Sequence, residues 1–253
     1  MARFGSGVRT ELESVLRALT PSEVYVVGDA RVLELHGPPC GGSVSVVRPG
    51  EACKTPDDLL GLFDGFAEAQ LDRDAVVVGF GGGAALDLAG FAAAIWMRGV
   101  RWVAVPTTLL AQVDAAHGGK TGLNLPDGKN LVGAFHPPSE VVADSDYLAT
   151  LPEAEVRAGL AEVVKHAVIG APALLDRAGR SDPPSFVEEA ARVKLAIVAR
   201  DPYERGERRL LNLGHTLGHA LETATRHRVR HGDAVAVGLR AACAMAERHC
   251  GFR

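Results

Sequence analysis

The chain has few cysteines, few aromatic residues and no excess of positive charge. Cys40, Cys53, Cys243 and Cys250 are the 4 cysteines among 253 residues, and no two of them form a C-x-x-C motif. The first residues, MARFGSGVRTELESVL, lack the apolar segment of a secretory leader. Scattered thiols without such a leader indicate a reducing compartment, so we expect a cytoplasmic protein without a disulfide framework.

Charge and hydropathy argue against two classes of partner. The formal net charge of -4 provides no basic surface for nucleic acid. The longest apolar run, LAGFAAAIWM at 88–97, is too short to cross a bilayer and is flanked by Asp87 and Arg98. We therefore expect neither nucleic acid nor a membrane as a partner.

Apolar and small residues, by contrast, are abundant. Hydrophobic residues make up 47% of the chain and glycines number 29, which suits an α/β protein with a sizeable core and tight strand-to-helix turns. In the first half, short apolar runs alternate with helical patterns, which predicts a doubly wound, Rossmann-like domain with a mostly parallel sheet. The predicted strands are 24–28, 75–80, 102–105 and 140–143, and the predicted helices are 8–18, 57–70 and 84–97.

From about residue 151 the pattern becomes helical throughout. One loop-like break, 171–185, interrupts it. We therefore expect two domains, an α/β domain at 1–150 and an all-α domain at 151–253. The predicted helices of the second domain are 153–169, 185–200, 209–225 and 232–249.

A glycine-rich turn, VVVGFGGGAALDLAGF at 76–91, joins a predicted strand to a predicted helix. Gly79, Gly81 and Ala84 satisfy G-x-G-x-x-A, a spacing that lets the backbone approach a pyrophosphate at a helix N-terminus. The acidic residue expected some twenty positions later is absent. Glycines needed only for close strand–helix packing are the alternative. Asp29, directly after the strand at 24–28, is placed either to reach a ribose or to cap a turn.

Directed polar groups crowd the segment PTTLLAQVDAAHGGKTGLNLPDGKNLVGAFHPP at 106–138. A polar loop after a sheet strand belongs at the crevice where α/β sheets bind ligands. Its lysines, with Arg98 upstream, suit a phosphorylated or carboxylated substrate. A solvated hairpin with surface lysines is the alternative. The polar residues in question are Asp114, Lys120, Lys129 and Asn130.

Histidines concentrate near the end of the chain. His215 and His219 are four residues apart and share a helical face, and His231 begins the next apolar run. No glutamate follows the first histidine, which disfavours an H-E-x-x-H peptidase. A carboxylate ligand is available from Glu162, with His166 as a rival, so the cluster is either a zinc site or a polar cluster without a chemical role. We assign no role to His227.

Taken in order, these motifs resemble one family. GGGAALDLAGF, MRGVRWVAVPTTLLAQVDAAHGGKTGLNLPDGKNLVGAFHPP, LPEAEVRAGLAEVVKHAVI and LNLGHTLGHALE…HGDAVAVG together resemble 3-dehydroquinate synthases, from about residue 24 to the C-terminus. The resemblance implies an NAD-binding α/β domain and a metal-binding all-α domain. It also implies a homodimer and, as cofactors, NAD and Zn2+, with Co2+ as the alternative metal.

Residue roles follow from the same resemblance. It implies that Glu162, His215 and His231 bind the metal, and that His219 contacts substrate and transfers a proton. The other implied substrate contacts are Lys165, Lys194, Arg208, Asn212, Asp114, Lys120 and Asn130, with Arg98 from the neighbouring subunit. The implied NAD contacts are Asp29, Glu51, Lys54, Gly82, Gly83, Asp87, Thr107, Thr108, Lys120, Lys129 and Thr150.

The implied substrate is a sugar phosphate, 3-deoxy-D-arabino-heptulosonate 7-phosphate. In the implied reaction NAD transiently oxidises a ring hydroxyl and phosphate leaves. The ketone is then reduced, and an intramolecular aldol step closes the carbocycle of 3-dehydroquinate. Bound zinc would lower the pKa of the hydroxyl that is oxidised.

The sequence departs from the family pattern at several places. Leu86 replaces a usual glycine in the first turn of the helix, where we expect it to crowd the cofactor, and Arg31 replaces a usual asparagine. We also expect missing first strands and missing C-terminal helices, with apolar surface exposed on 232–249. Two alternatives therefore stay open: another sugar-phosphate cyclase, and a truncated, catalytically weak paralogue with an assembly or regulatory role. A metal-dependent polyol dehydrogenase fits less well, because the QVDAAHGGKTGLN segment is typical of the cyclases.

Overall fold

A computed structural model describes residues 1–178, 183–225 and 228–251. The chain divides into two compact units, Met1–Thr150 and Leu151–Arg253. His227, to which we assigned no role, lies outside the described residues. No helix among the described residues is long and apolar enough to cross a membrane.

The first unit is built on a parallel six-stranded sheet, in the order β1-β8-β5-β4-β2-β3. This confirms the Rossmann-like class, because buried apolar strands that alternate with helices pair in parallel through helical crossovers. Its strands are β1 (Ala2–Gly5), β2 (Val24–Asp29), β3 (Ser43–Val47), β4 (Val76–Gly81), β5 (Arg101–Pro106) and β8 (Glu140–Asp144).

Helices cover both faces of this sheet. Val77 of β4 lies in a core cluster with the apolar faces of α3 and α4, whereas Val76 and Val78 lie in a second cluster with α1. Alternate residues of a strand point to opposite faces, so a continuous apolar run fills both layers. The helices are α1 (Leu12–Leu19), α2 (Ala30–His36), α3 (Pro56–Glu68) and α4 (Gly83–Ile95).

Within the polar segment 106–138 the chain forms an antiparallel hairpin of β6 (Lys120–Leu125) and β7 (Gly128–Phe135). The hairpin was one of our two interpretations of this segment. Glycines make the close pairing feasible, because a Cβ on Gly122 or Gly133 would overlap the facing strand backbone. A π-helical turn, Ala111–Ala115, precedes it.

Strands β1 and β3 were not predicted. β3 lies at the sheet edge and most of its residues are exposed, and β1 has four residues. Short edge strands need little apolar character, so hydropathy alone gives no signal for them.

The second unit is helical, as expected, with two differences. The predicted helix 209–225 is broken: a 3-10 turn covers Glu207–Asn212, and the α-helix begins only at His215. Gly214 has φ of 79° at the break. A short helix also lies within the predicted loop 171–185. The helices are α5 (Glu153–Gly170), α6 (Ala173–Ala178), α7 (Val187–Arg200), α8 (His215–Ala224) and α9 (His231–Cys250).

Glycines let α9 approach its neighbours closely. A Cβ on Gly232 would overlap the carbonyl oxygen of Ala158 in α5, and one on Gly238 would overlap that of Gly214. These contacts bring the first turn of α9 against α5, and its second turn against Gly214, the N-cap residue of α8. On the second half of α9, where we expected exposed apolar surface, Met245 is exposed, as is Val237 nearer its start.

We expect Gly232→Ala to destabilise the chain by about 1–3 kcal/mol, because the added methyl group has no space beside Ala158. Thermal unfolding followed by circular dichroism measures the effect. Gly170→Ala is the matched control, since a Cβ there would meet only Val193 Cγ1 at 3.4 Å. Equal melting temperatures for the two variants would contradict the close packing of α9 on α5.

Candidate functional site

The carboxyl ends of the central strands gather several of the predicted cofactor residues. β2 ends at Asp29, β4 ends at Gly81 and continues into Gly82, and Thr107 follows β5. In open parallel sheets this edge is where ligands bind. The parallel topology therefore brings these residues to one edge of the sheet, although they are far apart in the sequence.

The glycine turn forms a shallow cradle at the start of α4. Gly82 is the N-cap residue and no side chain caps the helix, so its first N–H groups can receive an anion. A Cβ on Gly83 would come within 3.0 Å of Ala115 Cβ, and one on Gly81 within 3.0 Å of Asp29 Cβ. Both glycines therefore permit close packing against neighbouring side chains, and it is the uncapped N–H groups of α4 that could hold a phosphate group.

Leu86 does not occupy the cradle. Its side chain is fully buried in the core between α4 and the sheet, next to Gly79 of β4. The expectation that Leu86 crowds the cofactor is therefore wrong, because the first-turn position it holds faces the core.

Asp29 caps a helix. One carboxylate oxygen accepts hydrogen bonds from the N–H groups of Arg31 (2.9 Å) and Val32 (3.3 Å), and the other lies 3.4 Å from the N–H of Gly50. The cap interpretation is thus confirmed. The side chain also ties the end of β2 to the segment that carries Glu51 and Lys54.

Lys54 is a buried cation with two partners. Its side chain is 2% exposed, and its ammonium donates to Asp87 Oδ2 at 2.6 Å and to Asn130 Oδ1 at 2.5 Å. A buried ammonium needs such partners because it has lost its hydration. Lys54 therefore links the helix of the glycine turn to the hairpin, and three of the predicted site residues meet here.

Asn124 supports the same group and was not predicted. Its amide donates to Glu51 Oε2 at 2.7 Å, and its side-chain oxygen accepts from the N–H of Asn130 at 3.1 Å. The contact helps hold Asn130 in a left-handed conformation (φ 56°). No sequence pattern indicated this role, since the contact depends on the register of β6 and β7.

Three threonines were predicted as NAD contacts. Among the described residues, the buried hydroxyl of Thr107 has no hydrogen-bond partner. Thr108 accepts from the N–H of Ala111. The Thr150 hydroxyl donates to the carbonyl of Tyr147 and faces His36 Nε2 at 2.9 Å. An unpaired buried hydroxyl beside the glycine turn is consistent with a bound polar ligand.

The remaining predicted residues of the first unit are more dispersed. Arg98 has φ of 69° and precedes β5, so it lies at the amino end of the sheet, away from the glycine turn. Asp114 lies in the π-helical turn, a feature frequent at functional sites. Lys120 begins β6 and Lys129 lies in β7.

In the second unit, the predicted metal ligands converge around one buried carboxylate. The side chain of Glu162, on α5, is 1% exposed. One of its oxygens pairs with Lys165 one turn along the helix. The other lies 3.4 Å from His231 Nε2 and 3.8 Å from His215 Nε2. Three helices thus supply the three groups.

This geometry fits a zinc ion. One donor atom from each of Glu162, His215 and His231 lies within 4.8 Å of the other two. Tetrahedral ligands at 2.0–2.1 Å from zinc are separated by about 3.3 Å, close to the distances found here. Three protein ligands with a fourth position open are typical of catalytic zinc. His166, the rival ligand, is fully buried on α5.

The pKa values of the two histidines are shifted in opposite directions. Burial lowers the pKa of His215; the charge of Glu162 opposes this effect and that of Lys165 adds to it. Burial also lowers the pKa of His231, but hydrogen bonds to Glu162 and Glu222 outweigh it and raise the pKa to about 9. The two carboxylates that flank His231 thus favour the cationic form of its ring.

Glu222 of α8 was not predicted. It is buried, and its Oε2 lies 3.2 Å from His231 Nδ1. His219, on the same helix, is exposed and forms a second cluster of donor atoms with Glu222 and His231. The spacing contained a signal, since residue 222 is three after His219 and seven after His215 and so shares their helical face.

The other predicted substrate contacts lie on α7 and the 3-10 turn. Lys194 and Arg208 are buried, and Arg208 donates to the carbonyl of Pro202. Asp201 holds the turn, because its carboxylate accepts from three N–H groups, among them that of Arg208. Asn212 donates to Glu204.

Comparisons with known proteins agree with this geometry. A family model for the 3-dehydroquinate synthase N-terminal domain matches residues 44–158, and one for the C-terminal domain matches 159–253. The chain is 45% identical to the 3-dehydroquinate synthase of Symbiobacterium thermophilum over 279 aligned residues, covering 100% of this chain and 74% of the relative.

Two further relatives have partial coverage. A 3-dehydroquinate synthase of Xanthomonas campestris pv. campestris (strain 8004) is 52% identical over 77% of this chain, which spans 57% of that relative's length. A putative aminodehydroquinate synthase of Amycolatopsis mediterranei is 47% identical over 92% of this chain and 66% of its own length.

Similar solved structures carry both kinds of ligand. A 2-deoxy-scyllo-inosose synthase complexed with carbaglucose-6-phosphate, NAD+ and Co2+ has a TM-score of 0.87 at 30% identity, over 98% of this chain and 74% of that one. A 2-epi-5-epi-valiolone synthase from Streptomyces hygroscopicus, with NAD+ and Zn2+ bound, has a TM-score of 0.87 at 25% identity. The match covers 99% of this chain and 75% of that one. Since the two family models together run from residue 44 to residue 253, the chain belongs to the 3-dehydroquinate synthase family.

Proposed function

We propose that this protein is a 3-dehydroquinate synthase, a lyase that converts 3-deoxy-D-arabino-heptulosonate 7-phosphate to 3-dehydroquinate and phosphate in aromatic biosynthesis. The observation that supports this most strongly is the convergence of His215 and His231 on the buried carboxylate of Glu162, in a chain of this family. A polar cluster without a chemical role does not require a buried glutamate at its centre.

NAD and zinc are the proposed cofactors, with Co2+ as an alternative metal. When bound, NAD supplies a hydride acceptor and zinc supplies a Lewis acid. The uncapped N-terminus of α4 at Gly82 and the unpaired hydroxyl of Thr107 support the nucleotide. The fit of Glu162, His215 and His231 to tetrahedral spacing supports the metal.

The NAD contacts proposed in the first unit are held by their own network. Lys54 fixes Asp87 and Asn130, and Asn124 fixes Glu51. A site that is ordered before the cofactor arrives loses less entropy on binding. The proposed contacts are Asp29, Glu51, Lys54, Gly82, Gly83, Asp87, Thr107, Thr108, Lys120, Lys129 and Thr150.

Cations would bind the two anionic groups of the substrate. Lys165, Lys194 and Arg208 are all buried, so their attraction for a phosphate or carboxylate is screened little by water. Arg208 suits bidentate recognition of such a group. The other proposed substrate contacts are Asn212, His219, Asp114, Lys120, Asn130 and Arg98.

His219 is the proposed proton-transfer residue. It is exposed on α8, and its ring lies 5.4 Å from that of His215 and 5.9 Å from that of His231. An imidazole beside the metal ligands can exchange a proton at its ring nitrogen at neutral pH.

Two further points remain predictions. The position of Arg98 at the amino end of β5 is compatible with its donation to a neighbouring subunit, so we retain the homodimer as a proposal. A cytoplasmic location also stays a prediction, since it rests on the scattered cysteines.

A second candidate is another sugar-phosphate cyclase. The 47% identity to a putative aminodehydroquinate synthase lies within the range of the 3-dehydroquinate synthases. Because the metal and nucleotide residues would be shared, only the substrate distinguishes the two activities. An amino-substituted heptulosonate phosphate is therefore the comparison substrate.

We expect Glu162→Ala and His231→Ala each to lower the affinity for Zn2+ by more than about 100-fold, because each removes one of three protein ligands. Metal content after dialysis against limiting zinc, and titration against a chelator, measure this. His249→Ala, a change at an exposed histidine of the same helix α9, should bind zinc like the parent chain. Unchanged metal content in the first two variants would show that the ligand assignment is wrong.

Turnover provides the direct test of the activity. With NAD, Zn2+ and the heptulosonate phosphate, we expect equal amounts of inorganic phosphate and 3-dehydroquinate, and neither when NAD is omitted. Preferred turnover of the amino-substituted substrate would favour the second candidate. Zinc-loaded protein that releases no phosphate from either substrate would contradict the proposal and favour a catalytically weak paralogue.

A further inference from the structure

Glu222 is a buried acid to which the proposed function assigns no role. It lies on α8, its residue is 4% exposed, and it packs against the start of α9 through His231. A buried carboxylate needs hydrogen-bond donors or positive charge nearby because it has lost its hydration. Its contact with His231 therefore indicates the role of Glu222.

His231 is held between two carboxylates, one on each ring nitrogen. Its Nδ1 lies 3.2 Å from Glu222 Oε2, and its Nε2 lies 3.4 Å from Glu162 Oε1. A neutral imidazole has one N–H and one lone pair. If Nδ1 donates to Glu222, the lone pair must be on Nε2, which is the nitrogen that faces the metal position.

His215 repeats this arrangement with a different partner. Its Nδ1 lies 3.2 Å from the carbonyl oxygen of Leu213, and its Nε2 faces Glu162. Both histidines thus have Nδ1 engaged outside the cluster and Nε2 directed into it. For His215 the partner is the backbone just before its own helix, whereas His231 depends on a side chain from another helix.

We propose that Glu222 is a positioning residue of the metal centre, which sets the tautomer and ring orientation of His231. The inference rests on the proposed zinc site. A carboxylate behind a metal-bound histidine also raises the basicity of the ligating nitrogen, and loss of such a partner costs about 10–100-fold in metal affinity. Glu222 would stabilise the bound metal without touching it.

A competing arrangement uses the same residues differently. His219, Glu222 and His231 also form a group of donor atoms close enough for a metal ion. Glu222 would then be a ligand, and the chain would hold two metal ions. The exposure of His219 and the hydrogen bond from His231 to Glu222 favour the positioning role.

The test compares Glu222→Ala and Glu222→Gln with the parent chain. Glu188→Gln serves as a control, since Glu188 forms an exposed i,i+4 pair with Arg192. Zn2+ affinity is measured by chelator competition, and the number and geometry of bound ions by titration with Co2+ followed in the visible spectrum. Circular dichroism and thermal unfolding show whether each variant folds.

We expect one Co2+ per chain, a loss of about 10–100-fold in Zn2+ affinity in Glu222→Ala, and substantial rescue in Glu222→Gln, whose amide oxygen can still accept from Nδ1. A shifted Co2+ spectrum in Glu222→Ala would mark the reoriented imidazole. If the substitutions only impaired folding, Glu222→Ala and Glu222→Gln would both melt at lower temperature, and Glu222→Gln would not regain Zn2+ affinity.

Three results would overturn the inference. Zn2+ affinity of Glu222→Ala within about twofold of the parent, with the parent binding normally, would remove the positioning role and leave the proposed function intact. Two Co2+ per chain, with one lost in Glu222→Gln, would make Glu222 a ligand. A parent chain that binds no zinc would overturn both the inference and the proposed metal site.

Discussion

The buried carboxylate of Glu162 is the constraint on which the second unit depends. A carboxylate that is 1% exposed must be balanced by nearby positive charge or hydrogen-bond donors. Lys165 balances one oxygen, and the imidazoles of His215 and His231 face the other. To bring them there, α9 must pack closely on α5, and α8 must pack closely on α9. The glycines at 232 and 238 make that approach feasible, because any side chain would overlap the neighbouring backbone.

In the first unit the buried charge is positive, on the ammonium of Lys54. A buried ammonium is balanced there by Asp87 and Asn130, so a charge fixes the hairpin against the helix that follows the glycine turn. In both units a charge that is costly to bury determines the local arrangement. The proposed ligands of each unit, a nucleotide and a metal ion, are themselves charged, so both proposed sites contain charged side chains that are already paired.

Periodicity predicted the central strands and most helices because those elements bury continuous apolar runs or stripes. It did not predict β1 or β3, since short edge strands carry little apolar signal. The hairpin in segment 106–138 was one of two interpretations, and it came from composition and not from periodicity. The helix 209–225 was predicted as continuous because the break at Gly214 arises from its contact with α9, which is a tertiary constraint.

Some residues of the candidate site could be predicted from the sequence, and others could not. From the residues alone, His215, His219 and His231 formed one cluster, with Glu162 or His166 as a further ligand. The family resemblance then selected Glu162, His215 and His231 and gave His219 a role with the substrate. Glu222 and Asn124 were missed because their roles depend on distances between elements, although Glu222 shares a helical face with both histidines. For Leu86 the sequence predicted an effect on the cofactor that the structure does not show. The side chain faces the core and does not reach the glycine turn.

In the proposed metal site, one carboxylate and two imidazoles hold a zinc ion. X-ray absorption at the zinc edge of the loaded protein measures these ligands. We predict two imidazole nitrogens and oxygen ligands at about 2.0–2.2 Å. A sulfur neighbour at about 2.3 Å, or a spectrum that fits one imidazole or none, would contradict it.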